Sequence, residues 1–223
     1  MGYYYYNNNG GGGGRRFLGN APYVTRNLII INIIVFVATW IAESFLKTSI
    51  FTRLFALFYP GNPLFHFWQP LTYMFMHGGF WHILFNMYTL YIFGCVVERM
   101  IGERKFLLFY IVCGLGAAAT QIGVQALQGG PGYPTVGASG AIYGVLIAYA
   151  MLFPESKLTL IFPPVTLSAK WMVIIFAGIE LVTSVLGAND GVAHLAHLGG
   201  MLFGWILIKI WKKQGTLFDR KDL

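Results

Sequence analysis

The chain has 223 residues, 57% of them hydrophobic and only 10% charged, and its mean hydropathy is +0.62. A water-soluble domain coats itself with about 25% charged residues, so a globule in water is excluded, and the length fits one domain. The net charge of +7 does not read as a nucleic-acid interface either, which needs a folded basic face with interleaved aromatics.

Taken in chain order, residues 3–14 are a tract of tyrosine, asparagine and glycine with no periodicity to pack, and a disordered tail is predicted over 1–26. The start fails the myristoylation pattern because position 6 is Tyr6. The first apolar run, 27–45, is long and lacks a small-residue cleavage end, which predicts a permanent first span rather than a cleaved signal. The loop 46–79 is rich in aromatics and poor in charge. Short helices lying in the outer interface are predicted there, with a globular extracellular loop as the alternative. Apolar runs 80–98 and 105–127 follow. Runs of about 20 residues match a hydrocarbon layer of ~30 Å, and helices satisfy their own amides in lipid. Cys95 and Cys113 lie inside these runs and are expected as small buried hydrophobes, not a disulfide.

Glycine and proline over 128–136 forbid regular structure until about Gly137. This segment and 188–193 are expected to be flexible enough to cap and open a pocket. A fourth helix is predicted over 139–153 and ends at Pro154. At 1.5 Å per residue it is about 22 Å long, roughly 8 Å short of the hydrocarbon thickness. Runs 170–187 and 192–211 give a fifth and sixth span, and 212–223 a basic tail. The expected fold is an all-α membrane protein, a six-helix bundle over 27–211 with a short central fourth helix. With the N-terminus in the cytoplasm, all 15 lysines and arginines except Lys47 and Arg53 fall on that side, as positive charges do in membrane proteins. Both termini are therefore expected in the cytoplasm.

The short fourth helix starts at Ser139, roughly 8 Å below the outer surface. Non-helical backbone at that depth requires a water-lined cavity, and the first-turn amides with the helix dipole can stabilise an oxyanion. Alone, Ser139 reads as well as a plain helix cap. His197, on the sixth span, lies about 8 Å down, and Asn86, on the second, about 9 Å down. His82 is one turn above Asn86 on the same face. Polar side chains at such depth are expensive and mark function. Gly140 and Gly144 form one small-residue stripe, Gly200 and Gly204 another, and His197 shares the second. Facing stripes let backbones approach closely and would bring the imidazole to the hydroxyl. A packing stripe with a hydrogen-bonded core histidine is the plainer alternative.

A serine needs an adjacent base before it attacks, and His197 is the expected base and later acid. Of the carboxylates, Asp190 is near the water boundary, while Glu43 and Glu180 sit on spans one and five, so a dyad is expected rather than a triad. Tyr143 is placed either to stack on the imidazole or to pack as an ordinary aromatic. His82, Asn86 and the Ser139 amide are the expected oxyanion donors. His194 is a rival base, and a His194/His197 metal site lacks an apparent third ligand; neither metal nor cofactor is expected.

Gly137-Ala138-Ser139-Gly140 with Tyr143, Ala196-His197-Leu198-Gly199-Gly200 through Gly204, and His77, His82 and Asn86 resemble three motifs of the rhomboid intramembrane proteases. Glu98-Arg99 with Gly102 resembles the end of that family's second span. The resemblance covers about 27–211 in motif order. One departure is Trp68-Gln69, where many members have Trp-Arg, which leaves the anchoring of the first outer loop open. The serine motif is also not the nucleophile elbow of soluble hydrolases, since Ala141 stands at the final glycine. The resemblance implies a serine endopeptidase of the cell membrane whose partners are the lipid bilayer and transmembrane proteins, cut near their outer end at a small residue. Two further classes stand beside it. A non-catalytic adaptor would lack the serine or histidine, and a transporter would show paired broken helices.

Overall fold

The computed structural model describes residue 19 and residues 21–129, 132–160, 164–186 and 192–218. The expected N-terminal tail up to residue 18, Asp190 and most of the 188–193 cap lie outside the described residues, as does the end of the basic tail.

Helix α1 spans Tyr23–Ser44, so Tyr23–Arg26, expected in the disordered tail, are helical. The reason is a carboxylate 73 residues away. The Val24 amide donates to Glu98 Oε1 (2.8 Å), and the Thr25 amide and hydroxyl donate to Glu98 Oε2 (2.7 and 2.6 Å). Free amides at a helix start require acceptors, and a carboxylate there also meets the positive end of the dipole. Glu98 is only 1% exposed. Glu98→Ala leaves these donors without an acceptor and is expected to destabilise the fold by about 2–4 kcal/mol, read as a lowered thermal unfolding midpoint in detergent.

The first outer loop carries α2 (Ile50–Phe55) and α3 (Gln69–Thr72), which runs into a 3₁₀ turn over Tyr73–Phe75. Gln69, the departure from the family pattern, is fully buried and holds this loop together. Its Nε2 donates to the carbonyls of Leu64 (2.8 Å) and Arg53 (3.3 Å), and its Oε1 accepts from the Phe58 amide (3.3 Å). Trp68 Nε1 donates to the Leu54 carbonyl (2.8 Å).

The second long helix is α4 (Phe80–Thr89), a single π turn over Leu90–Gly94, and α5 (Cys95–Ile101). It ends at Gly102, whose φ of 82° is a conformation glycine adopts without steric penalty. Helix α6 (Glu103–Gln128) follows, then the short α7 (Ser139–Leu152), α8 (Ala169–Val185) and α9 (His194–Lys213). Tyr23–Ser44, Phe80–Ile101, Glu103–Gln128 and His194–Lys213 are long and apolar enough to cross a membrane. Helix α7 has 14 residues, short as expected, and α8 has 17, about 21 and 26 Å, so among the described residues four of the six helices reach full spanning length. Leu84, Phe85 and Tyr88 on α4, with Ile175, Ile179 and Val182 on α8, lie open to the outside. Apolar surface this continuous suits lipid, not water.

Helix α7 is buried between α6 and α9, and its glycines set the distance. A Cβ on Gly144 would collide with Cys113 of α6, and one on Gly200 would collide with the Gly140 carbonyl of α7. A Cβ on Gly204 would stand 3.1 Å from Gly144 Cα. Cys95 and Cys113 are both free and buried. An unexpected two-stranded hairpin, β1 (Lys157–Thr159) against β2 (Thr166–Ser168), joins α7 to α8 with Lys157 opposite Ser168. Short alternating Lys-Leu-Thr and Thr-Leu-Ser runs are its only signal, too brief to stand out beside the apolar spans.

Candidate active site

Within the segment 128–136, expected to cap and open the pocket, Tyr133 and Thr135 are hydrogen-bonded to the rest of the fold. The amides of Leu57 and Thr135 each donate to the other's carbonyl at 2.9 Å, and Gln125 Nε2 donates to the Tyr133 carbonyl (3.0 Å). The Gly137 amide donates to the Tyr73 carbonyl (3.0 Å), while the Tyr73 hydroxyl donates to the Gly114 carbonyl (2.8 Å). Gly137 has φ 133°, and a Cβ there would lie 2.8 Å from His82 Nε2. The chain is thus aimed at the start of α7 under the His82 ring.

At that point Ser139 opens α7. The capping position is Ala138, and no side chain caps the helix, so Ser139 is not spent as a helix cap. Its Oγ lies 2.8 Å from Nε2 of His197 on α9. Both line a cavity of about 540 Å³ with His82, Gly137, Trp81 and Tyr73. The Tyr143 ring, one turn along α7, stacks on the His197 ring with centroids 4.4 Å apart and 9° between planes.

The expectation that no carboxylate faces the imidazole is corrected. Glu180 Oε1 stands 3.0 Å from His197 Nδ1. Tyr143 donates its hydroxyl to the same oxygen, and Glu180 Oε2 lies 2.6 Å from Nδ1 of His194. The His197 Nδ1 contact is at ion-pair distance but is not an aligned hydrogen bond. Glu180 is 6% exposed, whereas Ile179, Leu181 and Val182 around it lie open. The signal was present: a lone carboxylate in an apolar helix faces the protein interior. Its rotation about the α8 axis was not readable.

A third potential metal ligand therefore exists beside the two histidines, because Glu180, His194 and His197 offer atoms all within 4.8 Å of one another. The spacings of 2.6 and 3.0 Å are shorter than a shared ion would impose. Two donors on a tetrahedral zinc stand roughly 3.3 Å apart.

On α4, His82 Nδ1 accepts from the Gly78 amide (3.4 Å), which leaves the proton on Nε2, the atom nearest Gly137. The buried Asn86 keeps an amide nitrogen with no hydrogen-bond partner, although it is not on the cavity wall. The His77 ring meets His82 edge-on at 5.0 Å. Burial, and then the neighbouring His82, push the His77 pKa down to about 3, so it stays neutral.

Lipid-facing helices around a part-buried serine–imidazole pair define a polytopic membrane protein with a polar site inside the bundle. A family model of the Rhomboid domain matches residues 64–214, and the chain belongs to the rhomboid family. It is 31% identical over 163 residues to the mitochondrial presenilin-associated rhomboid-like protein of Bos taurus, covering 66% of this chain and 43% of that protein. It is 32% identical over 156 residues to mitochondrial Rhomboid protein 1 of Saccharomyces cerevisiae, covering 63% and 42%. A third relative is "Putative rhomboid protease YdcA" of Bacillus subtilis, 31% identical over 142 residues, covering 63% and 65%. The chain thus spans about two-fifths of the length of the two mitochondrial relatives.

Proposed function

We propose that this chain is an intramembrane serine endopeptidase in which Ser139 is the nucleophile and His197 the general base. The 2.8 Å approach of Nε2 to Oγ, inside a cavity at the start of a short buried helix, carries the reading. His197 takes the hydroxyl proton as Oγ attacks the scissile carbonyl, then returns it to the leaving amine. Water repeats the sequence to release the acyl group.

The developing oxyanion would be met by the Ser139 amide at the α7 N-terminus, by His82 Nε2–H and by the Asn86 amide. The unpartnered Asn86 nitrogen supports this, since a buried donor left free is expensive unless a charge arrives to use it. Asn86→Ala is expected to lower kcat about 10²- to 10³-fold with KM little changed, measured on a labelled transmembrane peptide. His77, edge-on to His82, and Gly137, Gly140, Gly200 and Gly204 hold the groups in place.

The substrate is a membrane protein whose helix unwinds near the outer face of the bilayer, at the depth where α7 begins. Both termini lie on the positively charged inner side. The membrane proposed is the cell membrane, although two of the named relatives are mitochondrial. The test is cleavage of a labelled transmembrane peptide in detergent by the parent and by Ser139→Ala. Equal rates would leave a non-catalytic helix-binding adaptor as the surviving function.

A further inference from the structure

We infer that Glu180 is the positioning residue of the site, a third member that holds the His197 ring and stabilises its imidazolium. This deepens the Ser139–His197 reading and rests on it.

Three observations point the same way. The carboxylate reaches His197 at Nδ1, the ring atom opposite the one facing Ser139 (3.0 and 2.8 Å). Three side chains from two other helices converge on its two oxygens: Tyr143 and His197 on Oε1, His194 on Oε2. The residue is buried on a helix whose flanking side chains face outward. An ionised group in that position is unfavourable unless its partners hold it, and here those partners include the proposed base. The resting contact is bent, as such contacts often are before substrate binds.

The step balances on this chain alone. As the bond from Oγ to the scissile carbon forms, the Ser139 proton passes to Nε2. Nδ1–H stays on the ring and is donated to the Glu180 carboxylate, which remains ionised. The Nε2 proton then goes to the leaving amine as the C–N bond breaks. Glu180 acts by keeping the proton on Nδ1, which leaves the Nε2 lone pair aimed at Ser139.

The groups facing His197 are Ser139 and Tyr143 from α7, Glu180 from α8, His194 from its own helix and His82 from α4. Of these only Glu180 is a carboxylate, and it meets the ring at the nitrogen opposite the one facing Ser139.

The test uses the whole chain in detergent with a labelled transmembrane peptide. Glu180→Gln, nearly the same shape, is expected to lower kcat about 10²-fold and leave KM within about twofold. Tyr143→Phe keeps the stacked ring but removes the hydroxyl that shares Oε1, and should lower kcat less than Glu180→Gln does, with KM again little changed. If one variant does not fold, the other carries the measurement. A Glu180→Gln enzyme with unchanged kcat, or one whose loss lies in KM instead, overturns the role of Glu180. Ser139→Ala, run alongside, separates the two levels of the reading. Residual cleavage there removes the nucleophile assignment itself. An inactive Ser139→Ala beside a fully active Glu180→Gln removes only the third member.

Discussion

Ser139→Ala should abolish cleavage of a transmembrane peptide and all covalent labelling by a serine-directed phosphonate, while the protein keeps its melting temperature. The fall expected for losing a serine nucleophile is roughly 10⁶-fold in kcat. No rescue is available nearby, because the imidazole at hydrogen-bond distance would face a methyl group. The fold should not suffer, since the hydroxyl does not cap α7 and the Cβ remains. His197→Ala should weaken phosphonate labelling without erasing the site. Undiminished labelling of Ser139→Ala would mean that another hydroxyl reacts.

Gly200→Ala is expected to lower activity by about 10²-fold or more and to reduce thermal stability. The added methyl would stand 2.7 Å from the Gly140 carbonyl carbon and 3.3 Å from its Cα, closer still to the oxygen. All three atoms are backbone, so no rotamer relieves the clash and α7 must move away from α9. Overpacking of this kind costs about 1–3 kcal/mol. The same movement separates Ser139, next to Gly140, from His197, one turn before Gly200. A misplacement of about 1 Å suffices for a 10²-fold loss. Gly123→Ala is the control, since a Cβ there meets nothing within 4 Å. Equal melting and activity in the Gly200 and Gly123 variants would show that the helices tolerate separation.

Much of the arrangement was legible because membrane folding leaves coarse marks. Apolar runs locate α1, α4–α5, α6 and α9 to within a few residues. The Gly140/Gly144 and Gly200/Gly204 stripes announce the α7–α9 approach, since only residues without bulk allow backbones that close. Gly102 and Gly137 sit where φ is positive. Three of the misses share one cause. Glu98 capping α1, Gln69 anchoring the outer loop and Glu180 reaching His197 all depend on partners distant in the chain, and no local pattern encodes which way a side chain points around its helix axis.

Composition alone thus decided the solvent, and the order of apolar runs and glycines decided the helices and which of them approach. These follow from local rules: the thickness of a bilayer, the need of each amide for a partner, and the bulk of each side chain. Tertiary packing decided the rotation of α8, and with it the company kept by the His197 ring. A carboxylate every 3.6 residues could face lipid, a neighbour or the cavity, and only the sum of contacts across three helices chooses among them.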